Sequence, residues 1–488
     1  MLLLLGLNGC TMTLAGSGNS RAGSGGASGA TSASTVEMTA GHRADAMRGG
    51  TSAGATSGGT SAIGGAGGGT DAMSGGAGAG TASGGNAAAT GGSLSGAGTG
   101  GRSSLGAGGN AAGAAASKPP CAVCAGTSLA CEESPPSTGS SRAAAVAAKL
   151  GKAHFLVGMG NDLDNDHSRD GAYTLGTTLD LHYAYMVGLP GMGGWPDWNQ
   201  GGTFVNILAD SAARNCVTPM YTMYSMAAWG DGNLGGLVDA GYMSAYWSAA
   251  KLLFERLAAF DKPAVVHLEP DFWAYAALKS GQNPASMKVL IKTQVPDCAD
   301  QPETLIGMGK CWIVLARKYA PKALIGFHAS QWAGTPAEIV SFFKAIGASD
   351  ADLIVMDMLD RDAGCFEAAQ DPNCKRQGDF YWDQTNQKSP NFHEYLSYAK
   401  LVSDGLDKPI LWWQIPFGVP SDTPGGTPGH YRDNRVEYIF SHIDEFVAAG
   451  GLGATFGTGA GNQTSWETDG GQFKNAAAGY LANPVQLP

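Results

Sequence analysis

The sequence predicts a (β/α)8 barrel, the TIM-barrel fold, for the part of the chain that follows residue 140. Short apolar runs recur along this part, and amphipathic segments with helical spacing lie between most of them. The region is also long enough for a barrel of roughly 250 residues with extended loops.

Eight runs of apolar, β-branched or aromatic residues are each closed by Gly, Pro, Asp or Asn, which predicts eight strands. Several of these runs are apolar on both faces, as the strands of a covered parallel sheet are. The predicted strands span 154–158, 178–183, 217–221, 264–268, 323–328, 352–357, 409–414 and 452–456.

Apolar residues at helical spacing predict the helices between the strands. Pro336 suits a first helical turn, and the glycines at 450 and 451 suit a helix stop. Strand followed by helix, repeated in this way, predicts a closed parallel barrel rather than an open sheet. The clearest helical segments span 242–260, 303–319, 336–346, 392–406 and 434–449.

Residues 1–10 read as the end of a signal peptide, because a leucine run too short to span a bilayer precedes Cys10. The segment 7–10 resembles the bacterial lipobox, in which the cysteine is lipidated. This resemblance implies an exported protein, anchored through Cys10 to a membrane at the bacterial cell surface. The alternative is a chance leucine run before a free cysteine.

Residues 11–117 are almost entirely Gly, Ala, Ser and Thr without aromatic side chains, which predicts a disordered tether. Residues 118–140 form a cysteine-containing linker, and 141–488 are expected to be the catalytic domain. The formal net charge is −11 and no basic stripe is present, so we expect no nucleic-acid partner. We also expect a monomer without a cofactor.

The chain has nine cysteines, and setting Cys10 aside leaves an even number, as in a disulfide-bonded exported protein. Cys298–Cys311 and Cys365–Cys374 are plausible local pairs. A zinc site in the linker would lack a fourth ligand, so no metal is expected.

Other catalytic motifs are missing from the part after residue 140. It contains no Gly-x-Ser-x-Gly elbow and no His-Glu-x-x-His, which removes the main support for serine hydrolases and zinc proteases. The alternating acids at 162, 164 and 166 lack the Gly and Glu that an EF-hand requires, so a solvated acidic loop is the simpler interpretation.

Glu269 directly follows the apolar run 264–268 and precedes Phe272 and Trp273. Barrel enzymes place catalytic acids at the carboxyl ends of their strands. Desolvation by the two aromatic rings would raise the pKa of Glu269 and keep it protonated, as a general acid requires. The structural alternative is a carboxylate bonded to an arginine or a helix start.

An acid at a strand end beside a tryptophan, the side chain on which sugar rings stack, points to glycoside hydrolysis, and that reaction usually needs a second carboxylate. Asp357 at the end of the sixth predicted strand is favoured, and Asp271 and Asp360 are alternatives. Two strands round a barrel, Asp357 would face Glu269 with room for a water molecule, which favours an inverting mechanism.

A Glu followed by Pro at the end of strand four, and an aromatic strand seven ending in Gln414, resemble the superfamily of (β/α)8 retaining glycoside hydrolases. The resemblance implies Glu269 as acid/base and places Gln414 where those enzymes carry a nucleophilic Glu. Because an amide cannot attack an anomeric carbon, either another carboxylate serves or the protein is a catalytically inactive carbohydrate-binding barrel.

Nine of the eleven tryptophans fall on or after the predicted strands, and only Trp247 and Trp312 fall in predicted helices. Flat rings at that end of a barrel are typical of sugar-binding clefts. We therefore predict a carbohydrate substrate and an O-glycosyl hydrolase. The predicted sugar-binding residues are Trp195, Trp198, Trp229, Trp273, Trp332, Trp412, His182, Tyr183, His328, Asp271, Asp360 and Gln414.

Overall fold

The computed structural model describes residues 141–160, 171–375, 380–459 and 461–488, together with two dipeptides, Thr11–Met12 and Val36–Glu37, that pair antiparallel. The predicted leader, tether and cysteine-containing linker otherwise lie outside the described residues, as does the acidic loop at 162–167.

Eight parallel strands close into a barrel in chain order, and the eighth pairs with both the first and the seventh. This confirms the predicted (β/α)8 fold. The strands are β1 (Leu156–Gly160), β2 (Leu181–Val187), β3 (Thr218–Tyr224), β4 (Ala264–Leu268), β5 (Ala323–His328), β6 (Leu353–Asp357), β7 (Ile410–Ile415) and β8 (Gly451–Gly457).

The helices surround the barrel and bury nearly continuous apolar strands on their outer faces. They are α1 (Arg142–Lys149), α2 (Gly171–Thr174), α3 (Trp195–Trp198), α4 (Phe204–Arg214), α5 (Ala240–Phe260), α6 (Phe272–Lys279), α7 (Leu305–Tyr319), α8 (Pro336–Ala345), α9 (Ala363–Ala368), α10 (Phe392–Leu406), α11 (Arg435–Ser441), α12 (Ile443–Ala448) and α13 (Gln472–Leu481).

The predicted and observed elements agree closely. Strands β4 and β5 have the predicted bounds, and the others differ by a few residues at their ends. Helix α8 starts at Pro336 behind a capping box, in which Thr335 and Glu338 bond each other's backbone N–H groups. The segment predicted as one helix at 434–449 is two helices, because the backbone leaves helical geometry at His442.

Trp312 of α7 is the centre of an aromatic cluster between helices. Its ring lies 5.8 Å from Tyr246, 6.1 Å from Trp247 and 5.8 Å from Phe254, all on α5. These rings are buried, so the two tryptophans on helices are packing residues.

Both predicted local disulfides are present, Cys298–Cys311 and Cys365–Cys374. Cys216 is disulfide-bonded as well. Disulfides of this kind are compatible with an exported protein. None of the helices in the described ranges combines the length and hydropathy needed to cross a bilayer.

Candidate active site at the carboxyl ends of the strands

Three residues with side chains adopt left-handed backbone conformations where β4 and β7 end. The φ angles are 48° at Glu269, 63° at Asp271 and 52° at Gln414. Such conformations are unfavourable for L-residues and cluster at functional sites. We refer to this end of the barrel, formed by the carboxyl ends of the strands, as the mouth.

Glu269 is fully buried beside helix α5. The Met226 N–H donates to its Oε2 at 3.0 Å. Its Oε1 has no partner within hydrogen-bond distance and angle among the described residues. Tyr246 nevertheless lies close to the carboxyl group and lowers its pKa. Burial raises the pKa of Glu269 to about 8, and the Met226 and Tyr246 contacts only partly oppose that rise. The group is therefore a protonated acid at neutral pH, enclosed by protein.

Asp271 lies two residues further on and faces a different environment. The Tyr224 hydroxyl donates to its Oδ2 at 3.3 Å. Tyr224 ends β3, and its ring lies 5.9 Å from that of Tyr185 on β2. The turn through two left-handed residues thus separates the two acids, with Glu269 beside a helix and Asp271 beside the aromatic rings of the barrel.

The barrel below the mouth is filled by four aromatic side chains, which are Tyr183, Tyr185, Tyr224 and Trp413. Trp413 of β7 lies 5.9 Å from Tyr183 and 5.7 Å from Tyr185, both on β2. Because β1 and β8 separate these strands, the rings meet across the barrel axis. Gly457 makes room for Tyr183, since a Cβ there would lie 1.8 Å from the tyrosine hydroxyl oxygen.

A chain of buried polar side chains runs along the inner wall of the barrel, from β3 through β4 and β5 to Asp357 of β6. Thr222 Oγ1 lies 3.1 Å from His267 Nδ1, and His267 Nε2 lies 2.9 Å from His328 Nδ1. His328 Nε2 lies 3.1 Å from Asp357 Oδ1 and 3.0 Å from Ser330 Oγ. We call Thr222, His267, His328 and Asp357 the imidazole chain. The sequence analysis proposed His328 and Asp357 separately but missed His267, and the available signal was a lone polar residue inside the apolar run 264–268.

Several predicted sugar-binding residues are buried in the hydrophobic core and not at the surface of the mouth. Trp195, Trp273 and Trp412 have no exposed surface. Trp273 packs against Phe272 and Phe327, and Trp412 contacts Phe446 of α12 at 4.9 Å. Consecutive strand residues face opposite ways, so of the two β7 tryptophans Trp413, not Trp412, faces the barrel interior.

His182 is also turned towards the helices. Its Nδ1 lies 2.8 Å from the hydroxyl oxygen of Tyr173 on α2. The neighbouring Tyr183, which points the other way, lies inside the barrel, although it too has no exposed surface.

The remaining predicted tryptophans are at least partly accessible. Trp229, after β3, is 37% exposed. Trp332, after β5, is partly buried, and its ring lies 5.0 Å from Tyr275. Trp198 is partly buried and donates from Nε1 to the Gly193 carbonyl oxygen at 3.0 Å. A shallow surface pocket between the loops after β3 and β4 is lined by Met226, Ala227, Gly230, Asp231, Gly232, Asn233, Leu234, Pro270 and Phe272.

The other predicted polar residues lie near the ends of β6 and β7. Gln414 is 8% exposed. Asp360 is buried and forms an ion pair with Arg361, so its charge is compensated by its neighbour in the chain. Asp357 and Asp271 are 9% and 7% exposed, whereas Glu269 has no exposed surface.

A carboxylate pair that the sequence analysis did not anticipate joins the loops after β6, β7 and β8. Asp362 accepts from the N–H of Gly418 at 3.1 Å and of Thr464 at 2.8 Å. Burial, with the charge of Asp433 nearby, raises the pKa of Asp362 to about 8. Asp433 itself is bonded to Arg435 at 2.6 Å. The hydrogen bonds and ion pair of Asp362 and Asp433 therefore connect three loops at the mouth.

Within the described ranges, no three His, Cys, Asp or Glu side chains are grouped closely enough to hold a metal ion.

The fold and site together define a (β/α)8 barrel with acids at the carboxyl ends of its strands. No protein-family model matches the chain, and no curated protein matches it. Among solved structures, it is similar to the endoglucanase Cel6 from Mycobacterium tuberculosis, with 14% identity over 54% of this chain and 73% of that one, and a TM-score of 0.30.

Two other solved structures show the same level of similarity. The endo-β-1,4-mannanase from Thermotoga petrophila is 13% identical over 63% of this chain and 68% of that one, with a TM-score of 0.34. D-psicose 3-epimerase from Clostridium cellulolyticum H10 is 11% identical over 67% of this chain and 97% of that one, with a TM-score of 0.35. These values leave the function to be inferred from the chain's own residues.

Proposed function

We propose that this protein is a glycoside hydrolase that works at the mouth with Asp271 as general acid and Asp357 as general base. The observation that carries the proposal is a continuous set of contacts between the two carboxylates across an aromatic surface. Glycoside hydrolysis needs such a pair on opposite sides of the scissile bond.

The contacts run from one acid to the other through four rings, those of Tyr224, Tyr185, Trp413 and His328. Asp271 is bonded to Tyr224, whose ring meets Tyr185 at 5.9 Å, and Tyr185 meets Trp413 at 5.7 Å. Trp413 lies 5.5 Å from His328, which is bonded to Asp357. Aromatic faces between two acids are suited to holding a sugar ring by stacking.

The strand positions favour inversion over retention. Neighbouring strands are about 4.8 Å apart, so the ends of β4 and β6, separated by β5, lie about 9–10 Å apart around the barrel wall. Inverting enzymes hold their carboxyl groups about 6.5–9.5 Å apart, which leaves room for the attacking water. Gln414, at the end of β7, offers no nucleophile for the retaining route.

Glu269 was the acid that the sequence analysis favoured, and its raised pKa suits a proton donor. However, its carboxyl group is enclosed beside α5, whereas Asp271 reaches the aromatic rings. A general acid must come within hydrogen-bond reach of the glycosidic oxygen. We therefore assign the acid to Asp271 and a structural position to Glu269.

The test is a set of matched amide variants assayed for release of reducing sugar from a panel of polysaccharides and aryl glycosides. Asp271→Asn and Asp357→Asn should each lower kcat by about 100-fold or more, in keeping with loss of general acid–base catalysis. Glu269→Gln, the matched control, should retain activity within a few-fold. Loss of activity in Glu269→Gln but not in Asp271→Asn would return the acid to Glu269.

A second candidate function is a carbohydrate-binding barrel without activity. Gln414 favours it, because this amide stands where related hydrolases carry a nucleophile. This second function predicts that glycan-containing gels retard the migration of the wild-type protein, and that the protein releases no reducing sugar from any member of the panel. A protein that neither binds nor cleaves glycans would contradict both functions.

We also propose that the protein is exported and anchored through Cys10, with the disulfides as support for an oxidising compartment. Expression in a bacterial host followed by detergent-phase partitioning tests this proposal. The wild-type chain should enter the detergent phase and Cys10→Ser should not.

A further inference from the structure

We infer that a hydrogen-bonded pair of uncharged imidazoles, His267 and His328, positions Asp357 as the ionised base of the hydrolysis proposed above. The inference rests on that proposed function. Both histidines are therefore positioning residues, which act through Asp357 and not on the sugar directly.

The geometry links the three side chains in series. One nitrogen of each ring faces the next member of the imidazole chain, at 2.9 Å between the rings and 3.1 Å from His328 Nε2 to Asp357. The His267 ring has no exposed surface and His328 has 1%. No nitrogen in the pair is left for bulk water, so the proton position on one ring fixes that on the other.

Three proton arrangements satisfy these distances, and they differ in which groups carry a charge. In the first, each ring carries its proton on Nε2, so that Thr222 donates to His267, His267 donates to His328, and Asp357 accepts as a carboxylate. In the second, both protons sit on Nδ1 and a protonated Asp357 donates to His328. In the third, His328 is an imidazolium paired with the carboxylate.

Burial selects the first arrangement. An imidazolium inside the barrel loses its hydration, and a carboxylate at 3.1 Å offsets that cost only in part. Burial lowers the pKa of His267 well below its usual value, and His328 adds to that effect. The partly exposed carboxyl group of Asp357 is the member that water can reach, so the negative charge belongs at that end.

Uncharged side chains pack against the two imidazoles and Asp357. Trp413 covers both rings, at 4.8 Å from His267 and 5.5 Å from His328, and Ser330 adds a hydroxyl to His328 Nε2. Tyr395 and Tyr398 of α10 face Asp357, and burial raises the pKa of each above its usual value, so both stay uncharged.

The proposed hydrolysis needs no reactant other than the glycoside and water. Asp357 takes a proton from water while the water oxygen bonds to the anomeric carbon and the glycosidic C–O bond breaks. The leaving oxygen takes the proton of Asp271. The fixed His328 N–H holds Asp357 Oδ1 and so sets the orientation of the carboxylate towards the attacking water.

The first test measures the proton positions directly, in the full-length wild-type protein with ¹⁵N-labelled histidine. NMR at pH 7 separates imidazolium from the two neutral tautomers, and single His→Gln variants at each of the nine histidines assign the signals. We expect both His267 and His328 as neutral Nε2–H tautomers. An imidazolium, or an Nδ1 proton on either ring, would overturn the inference.

The second test uses His267→Leu with His267→Gln as the conservative partner, on whichever panel substrate the wild type cleaves. Leu interrupts the hydrogen bonds of the imidazole chain. The acid limb of the pH profile of kcat/KM should therefore move up by about one pH unit, and kcat should fall about tenfold while KM stays within twofold. Gln keeps an N–H towards His328 and should restore both values.

The outcomes separate the inference from the proposed function. A folded His267→Leu variant with an unmoved acid limb refutes the positioning role while hydrolysis stands. A wild-type protein that cleaves nothing removes the hydrolase and the base role together, and the NMR tautomers still decide whether the imidazole chain exists.

Discussion

Replacing Glu269 by Gln should change how the free energy of unfolding depends on pH. Folding moves this carboxyl group from water into a site with no exposed surface, where its pKa is about 8 instead of 4.5. Gln has nearly the shape of the protonated acid and does not ionise. The variant therefore isolates the contribution of one buried proton.

The sign follows from proton binding. Between pH 4.5 and 8 the folded state holds the Glu269 proton and the unfolded state has released it, so stability falls as pH rises. Each pH unit costs about 1.4 kcal/mol, so the wild type should lose about 4–5 kcal/mol from this group across the interval. The contribution is fully present below pH 4.5 and lost above pH 8.

The assay is equilibrium urea denaturation of wild type and Glu269→Gln, followed by tryptophan fluorescence at several pH values from 4.5 to 8. The two proteins should be similarly stable at pH 4.5, and the variant should be more stable by several kcal/mol at pH 8. Glu255→Gln, at a residue whose side chain is 49% exposed on α5, is the matched control and should follow the wild type. Parallel curves for wild type and Glu269→Gln would refute the assignment of a buried protonated acid.

Three further predictions concern the mouth. Asp362→Ala leaves two buried backbone N–H groups without their acceptor and should lower the free energy of unfolding at pH 6 by about 2–6 kcal/mol in urea denaturation; an unchanged midpoint would contradict the loop cluster. Gly457→Ala forces a Cβ against Tyr183 and should cost about 1–3 kcal/mol of stability and lower activity, measured by thermal unfolding and reducing-sugar release. Trp412→Phe should lower only the free energy of unfolding, by about 1–3 kcal/mol. Trp413→Phe should also weaken the retardation of the protein by glycans in affinity electrophoresis about tenfold. Equal retardation of the two variants would show that Trp413 does not stack on sugar.

Local sequence patterns were enough to predict the architecture. Apolar runs with turn residues at their ends marked the strands, and Pro336 marked the start of α8. The two disulfides were also predictable, because short loops bring cysteines such as Cys298 and Cys311 together without help from the rest of the fold. These features depend on residues close together in the chain.

The orientation of side chains at the mouth could not be predicted in the same way. A strand-end position indicated that Glu269 and Asp271 were important, but not which one faces the aromatic rings. Left-handed φ angles at both residues turn them to different sides, and nothing in the residue types requires those angles. The burial of Trp273 follows from the start of α6 immediately after the same turn.

The sequence by itself determined a barrel of eight strands with acids and tryptophans near their carboxyl ends, because periodicity and turn chemistry are local properties. Only the tertiary structure decided which of those side chains meet. Thr222, His267, His328 and Asp357 come from four different strands, and closure of the barrel brings their polar atoms within about 3 Å of one another in series. Such contacts depend on strand register and twist, which are set by packing across the whole barrel rather than by any one segment.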